Sequence, residues 1–487
     1  MVNKQKRIAL LIEQGFGARI IMQTDILRIL IENELEPIIL TSGPKSIKSY
    51  LDNTPFKNIP ICKLETEAYD QNSNKLIVRV LRMVRLFSLR TQTVSDLFAM
   101  EIEDSKRHNN INNKIVTYIV RILVFIAKLH PSIVQAMIRI ENKLAFVQAN
   151  KSFFDQFKPN ILLTTSIGTF DHDAYVLRES TKRKIKTISY ILSWDNTTVR
   201  GYGINQSSNI ITWSEIMKSE LIHLHNKKSN MIQVGGVPHY DVYNSPQALW
   251  TKEELYSQFN LPLEKDIIVL GTKSPNAYKS NPYIAKLICE SITNNPQLKN
   301  CTLLVRLHPI YFRHNNSKLY TELEIWESLV KQYGPSVITI DYPKIVGDDL
   351  RYLMPDNESI KLGSILRHSK AVINMFSTLN IEASIFDTPT INVSFQDNNI
   401  EINSYKTARF NIDADERQTH NQRVLQNDAT VVAYDPEQLE YLIIDSIKHP
   451  ETKQKGRLKL VETECGHHIG SAASRIGNQI IEMAKST

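Results

Sequence analysis

The chain has 487 residues, 42% of them hydrophobic and 22% charged, with a formal net charge of +7. That length exceeds one hydrophobic core and suits two α/β lobes of roughly 200 residues each, while the composition excludes the fibrous and disordered classes. Cys62, Cys289, Cys301 and Cys465 lack the spacing of a zinc site or a disulfide framework, so no metal and a reducing, cytoplasmic setting are expected.

In chain order, RIALLI at 7–12 reads as a first strand after a basic start, not as a signal peptide, because its short apolar run ends in a Gly-containing turn. Helical spacing follows over 18–33 and ends before Glu36-Pro37, then IIL at 38–40 gives a second strand. An insertion at about 71–145 is basic: Lys75, Arg79, Arg82, Arg85 and Arg90 lie in one acid-free stretch, and Lys106, Arg107, Lys114, Arg121, Lys128 and Arg139 in another. Within it, residues 115–129 are apolar but interrupted by Arg121 and shorter than the ~20 residues a bilayer span needs. The expectation is a basic, apolar-faced helical pair on an anionic membrane surface; the plainer alternative is an insertion with a solvated basic face. Phe87, Phe98, Tyr118 and Phe125 are too few and too core-like in spacing for base stacking, so no nucleic acid is expected.

Strand and helix signals then alternate: NILLTT, a helix over 174–182, IKTISYIL, NIITW, a helix over 214–225 and MIQV. GGVPHYD at 235–241 breaks the alternation, and the logic repeats with DIIVLG, TLLVRLHP, SVITID, AVINMF and TINVSF separated by helices. The pattern predicts an α/β chain of two Rossmann-like, doubly wound lobes, 1–240 and 241–450, with ligands in a cleft between them. Residues 451–487 form a closing segment that could pack back on the first lobe.

The candidate chemistry sits at predicted strand ends. Thr272 and Lys273 follow DIIVLG, and Arg306 and His308 end LLVRLHP, where a cation and an imidazole could neutralise a leaving diphosphate. Ser377 or Thr378 would cap a helix whose free N–H groups face an anion, with Glu382 placed to accept from a ribose diol; the bland reading is a helix cap alone. In SWDNTTVRG, Trp194, Asn196 and Arg200 could bind an acceptor and Asp195 could deprotonate its hydroxyl, unless Asp195 and Asn196 only form a turn. Asp171 and Asp173, flanking His172, are rival bases. Gly15 and Gly17 begin a helix as in a phosphate loop but lack the third glycine and the acid of a dinucleotide fingerprint, so close approach of an acceptor is the better reading.

These segments resemble GT-B transferases of surface polysaccharide and teichoic acid synthesis, including the CDP-glycerol glycerophosphotransferase-like family. Where that family has a Trp-His-Gly-Thr-Pro loop, Arg-Pro-His-Pro and a Ser pair before an acid-bearing helix, this chain has Trp194-Asp195-Asn196-Thr197-Thr198, Arg306-Leu307-His308-Pro309, and Ser377-Thr378 with Glu382. GGVPHYD and SAASRIGNQI similarly match its Gly-x-Pro-x-x-Asp join and closing Ala-Ser-x-Arg-Ile helix. The resemblance implies a GT-B glycosyltransferase that moves a sugar from a nucleotide-activated donor, a co-substrate rather than a cofactor, to a hydroxyl of a surface-glycan or lipid-linked acceptor. Asp195 in place of the loop histidine, and Met375-Phe376 in place of Asp-Tyr, favour a sugar over glycerol phosphate. The alternative on the same fold is a UDP-N-acetylglucosamine 2-epimerase-like enzyme or a polyol-phosphate transferase.

Overall fold

A computed structural model describes residues 6–107, 111–312, 317–399 and 412–485. The chain forms two compact units: the first comprises residues up to His239, Val346–Leu353 and the tail from Cys465, and the second Tyr240–Ile345 with Met354–Glu464.

The first unit holds seven strands, β1 (Lys6–Ile12), β2 (Leu35–Thr41), β3 (Ile61–Lys63), β4 (Ile161–Thr164), β5 (Lys186–Tyr190), β6 (Asn209–Thr212) and β7 (Ile232–Val234), in the order β3-β2-β1-β4-β5-β6-β7. The second holds β8 (Asp266–Gly271), β9 (Cys301–Arg306), β10 (Ile338–Asp341), β11 (Ser369–Asn374), β12 (Thr390–Val393) and β13 (Val431–Ala433), in the order β10-β9-β8-β11-β12-β13. Every pairing is parallel. Strands such as Ile8–Ile12 and Ile267–Leu270 are buried throughout, as helices covering both faces require. In each sheet the winding direction reverses once, between β1 and β4 and between β8 and β11. The carboxyl ends at these reversals are where open α/β sheets take ligands.

The helix expected over 18–33 is two helices, Gly15–Met22 and Asp25–Glu32, because Thr24 accepts from the Ile26 N–H and starts a second one. The insertion is likewise more than a helical pair, with helices at Glu67–Ser73, Leu76–Phe87, Gln92–Arg107, Ile111–Leu129 and Pro131–Leu144. Arg85 leaves the basic surface. It is buried, pairs with Glu141 at 2.8 Å, and donates to the Gly168 and Tyr202 carbonyls, while Arg178 holds the other Glu141 oxygen at 2.7 Å. Burial opposes ionisation of Glu141, but the two guanidiniums outweigh it and hold its pKa below the usual range. The triad thus fastens the insertion to helix Asp171–Lys182.

The tail helix Ala472–Lys485 packs on helix Asp25–Glu32, where a Cβ on Gly477 would come within 2.8 Å of Ile29. Lys6 and Lys186 donate to its terminal carbonyls at Ala484 and Met483, satisfying groups that a helix end leaves unpaired.

Helix Lys252–Gln258 opens with a reciprocal cap: Thr251 accepts from the Glu254 N–H at 3.2 Å and Glu254 accepts from the Thr251 N–H at 2.8 Å. Thr251→Ala is expected to lower stability by about 1 kcal/mol, read as a shifted urea midpoint; an unchanged midpoint would show that the cap contributes nothing.

Candidate functional site

At the reversal of the second sheet, β8 ends at Gly271, where a Cβ would meet the tip of the Leu379 side chain at 2.1 Å, so any larger residue would push that leucine aside at the start of the helix Leu379–Ile385. Thr272 follows, its hydroxyl accepting from the His308 N–H at 2.8 Å, which ties the β8 exit to the β9 exit. His308 Nδ1 accepts from the Ile310 N–H at 3.1 Å, so its proton sits on Nε2. Burial pushes its pKa down to about 4. The imidazole is therefore neutral near pH 7, a hydrogen-bond donor rather than a cation. Across the reversal, the bulky Phe376 adopts a left-handed φ of 49°, held by its N–H donating to Asn392, and the next N–H, of Ser377, donates to Asn374 at 2.8 Å. Such non-glycine strain collects at functional sites.

Three expected ligand contacts go to protein partners instead. Arg306 pairs with Asp341 and, at 2.9 Å, with Glu358, and Lys361 completes the buried quartet at 2.7 and 2.8 Å. Two cations and two carboxylates cancel there, so Arg306 organises the β9 and β10 ends rather than neutralising a diphosphate. Glu382 is buried and accepts from the Tyr243 hydroxyl at 2.6 Å. Lys273 pairs with buried Asp415, whose carboxyl is raised by burial, an effect the lysine partly offsets. Of the two cap candidates it is Ser377 that accepts from the Leu379 N–H, and the N–H groups of Asn380, Ile381 and Glu382 bond to the Ser377 and Thr378 carbonyls. No row of free N–H groups awaits an anion there. Thr272 and His308 are the candidate neutral contacts of the kind that can line a phosphate, while the Ser377 hydroxyl and N–H both donate to Asn374, at 3.2 and 2.8 Å, and would have to leave it to reach one.

At the reversal of the first sheet, Glu13 follows β1 and His172 stands in the helix after β4. His172 Nδ1 lies 3.0 Å from Glu13 Oε1 and its Nε2 lies 3.0 Å from Asp70 Oδ1. The hydrogen bond to Glu13 raises the imidazole pKa most, burial opposes it and Asp70 adds to it, the result being about 9. Near pH 7 it is an imidazolium that fixes the Glu13 carboxylate. Sequence reasoning missed Glu13 and Asp70; neither position carries a motif.

Asp195 lies beyond the end of β5, one strand from this reversal, and starts the short helix Asn196–Val199. It accepts from the Asn196 amide at 3.2 Å, and its carbonyl accepts from the Thr198 and Val199 N–H groups, so the turn reading describes part of its role. Trp194 and Asn196 are buried, and the Arg200 guanidinium stacks 4.7 Å from the Phe170 ring centroid. Asp173 is buried and takes the Ser166 hydroxyl, whose oxygen accepts from the Gly168 and Thr169 N–H groups. It braces the turn after β4. The Asp171 side chain lies outside the described residues.

Gly15 faces the chain's own backbone, whereas Gly17 is closely packed on the Thr165 side chain. A Cβ on Gly15 would fall 2.0 Å from Leu353 N, and one on Gly17 3.3 Å from Thr165. The segment Val346–Leu353 fills the former space: the Gly15 N–H donates to Arg351 O, and Asp349 takes the Lys45 and Ser46 N–H groups at 2.9 and 2.8 Å. Burial opposes ionisation of Asp349, but the Ser46 and Lys45 hydrogen bonds hold its pKa below the usual range. Among the described residues, no group of metal-ligating side chains is placed to hold an ion.

No protein-family model matches the chain, and no curated protein matches its sequence. Solved structures match its fold. Against UDP-GlcNAc 2-epimerase from Neisseria meningitidis bound to UDP-GlcNAc the TM-score is 0.54 at 11% identity, over 98% of this chain and 100% of the other. The chain has a two-lobe GT-B-like fold. The S. aureus MnaA–UDP structure gives 0.53 at 11% identity, over 99% and 98% of the two chains. A glycosyltransferase from Rickettsia africae gives 0.50 at 12%, over 99% and 100%. This GT-B-like fold is thus shared by structures named for two reaction types.

Proposed function

We propose that the chain is an enzyme acting on a nucleotide sugar, and that it transfers the sugar to a hydroxyl of a glycan or lipid-linked acceptor. The observation that carries this is the Glu13–His172 pair, a carboxylate fixed by an imidazolium at the reversal of the first sheet, where a general base can take a hydroxyl proton. Asp195, at the neighbouring strand exit, is the second candidate. Thr272 and His308 supply neutral contacts for the diphosphate, with Ser377 beside them once it leaves Asn374. The motif resemblance around Trp194, His308 and Ser377 supports transfer, and Asp195 in the histidine position weighs against polyol phosphate.

A second reading, 2-epimerisation of UDP-GlcNAc, has the support of the structures of that name. The two reactions separate cleanly, because inversion at C2 must break the C2–H bond. With UDP-GlcNAc in D2O and no acceptor, an epimerase places deuterium at C2 and forms the second epimer by NMR; a transferase does neither and releases nucleotide only when an acceptor hydroxyl is added. A thermal-shift panel of CMP, CDP, UDP, GDP and their sugars chooses the donor, a ligand at 100 times its Kd stabilising by about 2.7 kcal/mol. His308→Ala is expected to weaken that binding. Failure of every nucleotide and sugar nucleotide to bind at millimolar concentration would remove both readings.

A further inference from the structure

Helix Ile111–Leu129 has two apolar faces. One is core: Val116, Val120, Val124 and Ala127 are buried in the insertion's own cluster. The other points outward. Ile115, Tyr118, Ile122, Phe125 and Leu129 recur at alternating steps of three and four residues and are all exposed, Tyr118, Phe125 and Leu129 by 64%, 68% and 62%. At about 100° per residue this stripe is centred roughly opposite the buried one. An uncovered row of large side chains along a helix of about 28 Å exceeds the scattered apolar exposure of an ordinary surface.

Lys114, Arg121 and Lys128 run beside the stripe at steps of seven, each one residue before Ile115, Ile122 and Leu129. Residues 105–140 contain no aspartate or glutamate, so the helix itself carries only positive charge; on the helix Gln92–Arg107 packed against it, Glu103 pairs with Lys106 at 2.6 Å and Asp96 accepts from Gln92. Among the described residues no helix is long and apolar enough to cross a membrane. We propose that this face lies on an anionic lipid bilayer, with the apolar stripe sunk to the level of the headgroup boundary and the three cations reaching the lipid phosphates. Charge complementarity selects this occupant: a bilayer bearing anionic headgroups supplies an apolar layer and a continuous negative layer at the depths the stripe and its flank present. Tyr118, with an apolar ring and a polar end, suits the boundary, and lysine and arginine stems lie along apolar surface while their charges stay wet. The inference is independent of the proposed reaction and would place the enzyme where lipid-linked acceptors reside.

The test is co-sedimentation of the full chain with vesicles of phosphatidylcholine alone or with 30% phosphatidylglycerol, at low and at 0.5 M salt. Binding is expected at least tenfold tighter to the anionic vesicles and lost in high salt. Phe125→Glu and the pair Lys114→Glu with Arg121→Glu should each weaken it tenfold or more, with unfolding midpoints unchanged because these side chains are exposed. Equal recovery with both vesicle types, no recovery with either, or binding indifferent to Phe125→Glu overturns the proposal. So does a concentration-dependent dimer that Phe125→Glu converts to monomer while the protein ignores lipid, since the face would then belong to a second copy.

Discussion

Replacing His225 with Gln is expected to remove about 1.4 kcal/mol of stability loss for each pH unit between 6.5 and about 4. His225 is buried, stands edge-on to Tyr202, and donates from Nε2 to the Thr197 carbonyl at 2.7 Å. Its Nδ1 has no hydrogen-bond partner among the described residues. Burial lowers its pKa to about 4, with Lys227 adding and the Thr197 bond opposing. The unfolded chain, titrating near 6.5, therefore binds the proton first as pH falls, and folding loses free energy through that window; above 6.5 the contribution is complete. Gln retains a donor at the position of Nε2 and does not titrate. His239, buried between Phe16 and Trp213, and His308 are shifted in the same direction by burial, so each adds to the loss of stability as pH falls below 6.5. Asp415 and Glu179, raised by burial, act in the opposite sense, which is why the comparison is between wild type and one variant. Urea midpoints at pH 7, 6 and 5 give the slope; equal slopes would show that His225 is not protonated on unfolding.

The second large effect concerns turnover. Glu13→Gln is expected to reduce it by about 10²- to 10⁴-fold, the usual contribution of a positioned base, with nucleotide affinity little changed. His172→Gln tests the positioning role separately. In the wild type, activity should fall as pH rises through about 9, where the imidazolium loses its proton and with it one of two carboxylate bonds; in His172→Gln that step should be absent and activity lower below it. Asp195→Asn should cost less than Glu13→Gln. Near-normal turnover in Glu13→Gln with loss in Asp195→Asn returns the base to the β5 exit.

Periodicity carried the alternation of strand and helix because parallel strands covered on both faces are continuous apolar runs, as in DIIVLG and NILLTT. The strand-end residues Thr272, His308, Ser377 and Asp195 were legible for the same reason. What was not legible depends on partners far away in sequence. Arg306 reads as a cation for phosphate until Asp341, Glu358 and Lys361 surround it. Arg85 counts toward a basic surface until Glu141 buries it. Glu13 has no signature at all, since its meaning comes from His172, and that of His172 from Asp70, 102 positions earlier. Gly15 resembles a ligand loop because the chain that fills it arrives more than three hundred residues later.

That late arrival bears on how the protein can be cut. A fragment stopping at His239 has all seven strands of its sheet, yet it lacks Val346–Leu353 and the tail from Cys465. The amides of Lys45 and Ser46 would lose Asp349, the space beside Gly15 and Gly43 would stand open, and Ile29 would lose the helix that covers it. The complementary fragment would carry Ile476 and Ile480, buried in the intact protein, with nothing of the first sheet to receive them. Expressed apart, neither half is a complete folding unit; recombinant dissection at this junction requires co-expression, or grafting of the strap and tail onto the amino-terminal piece.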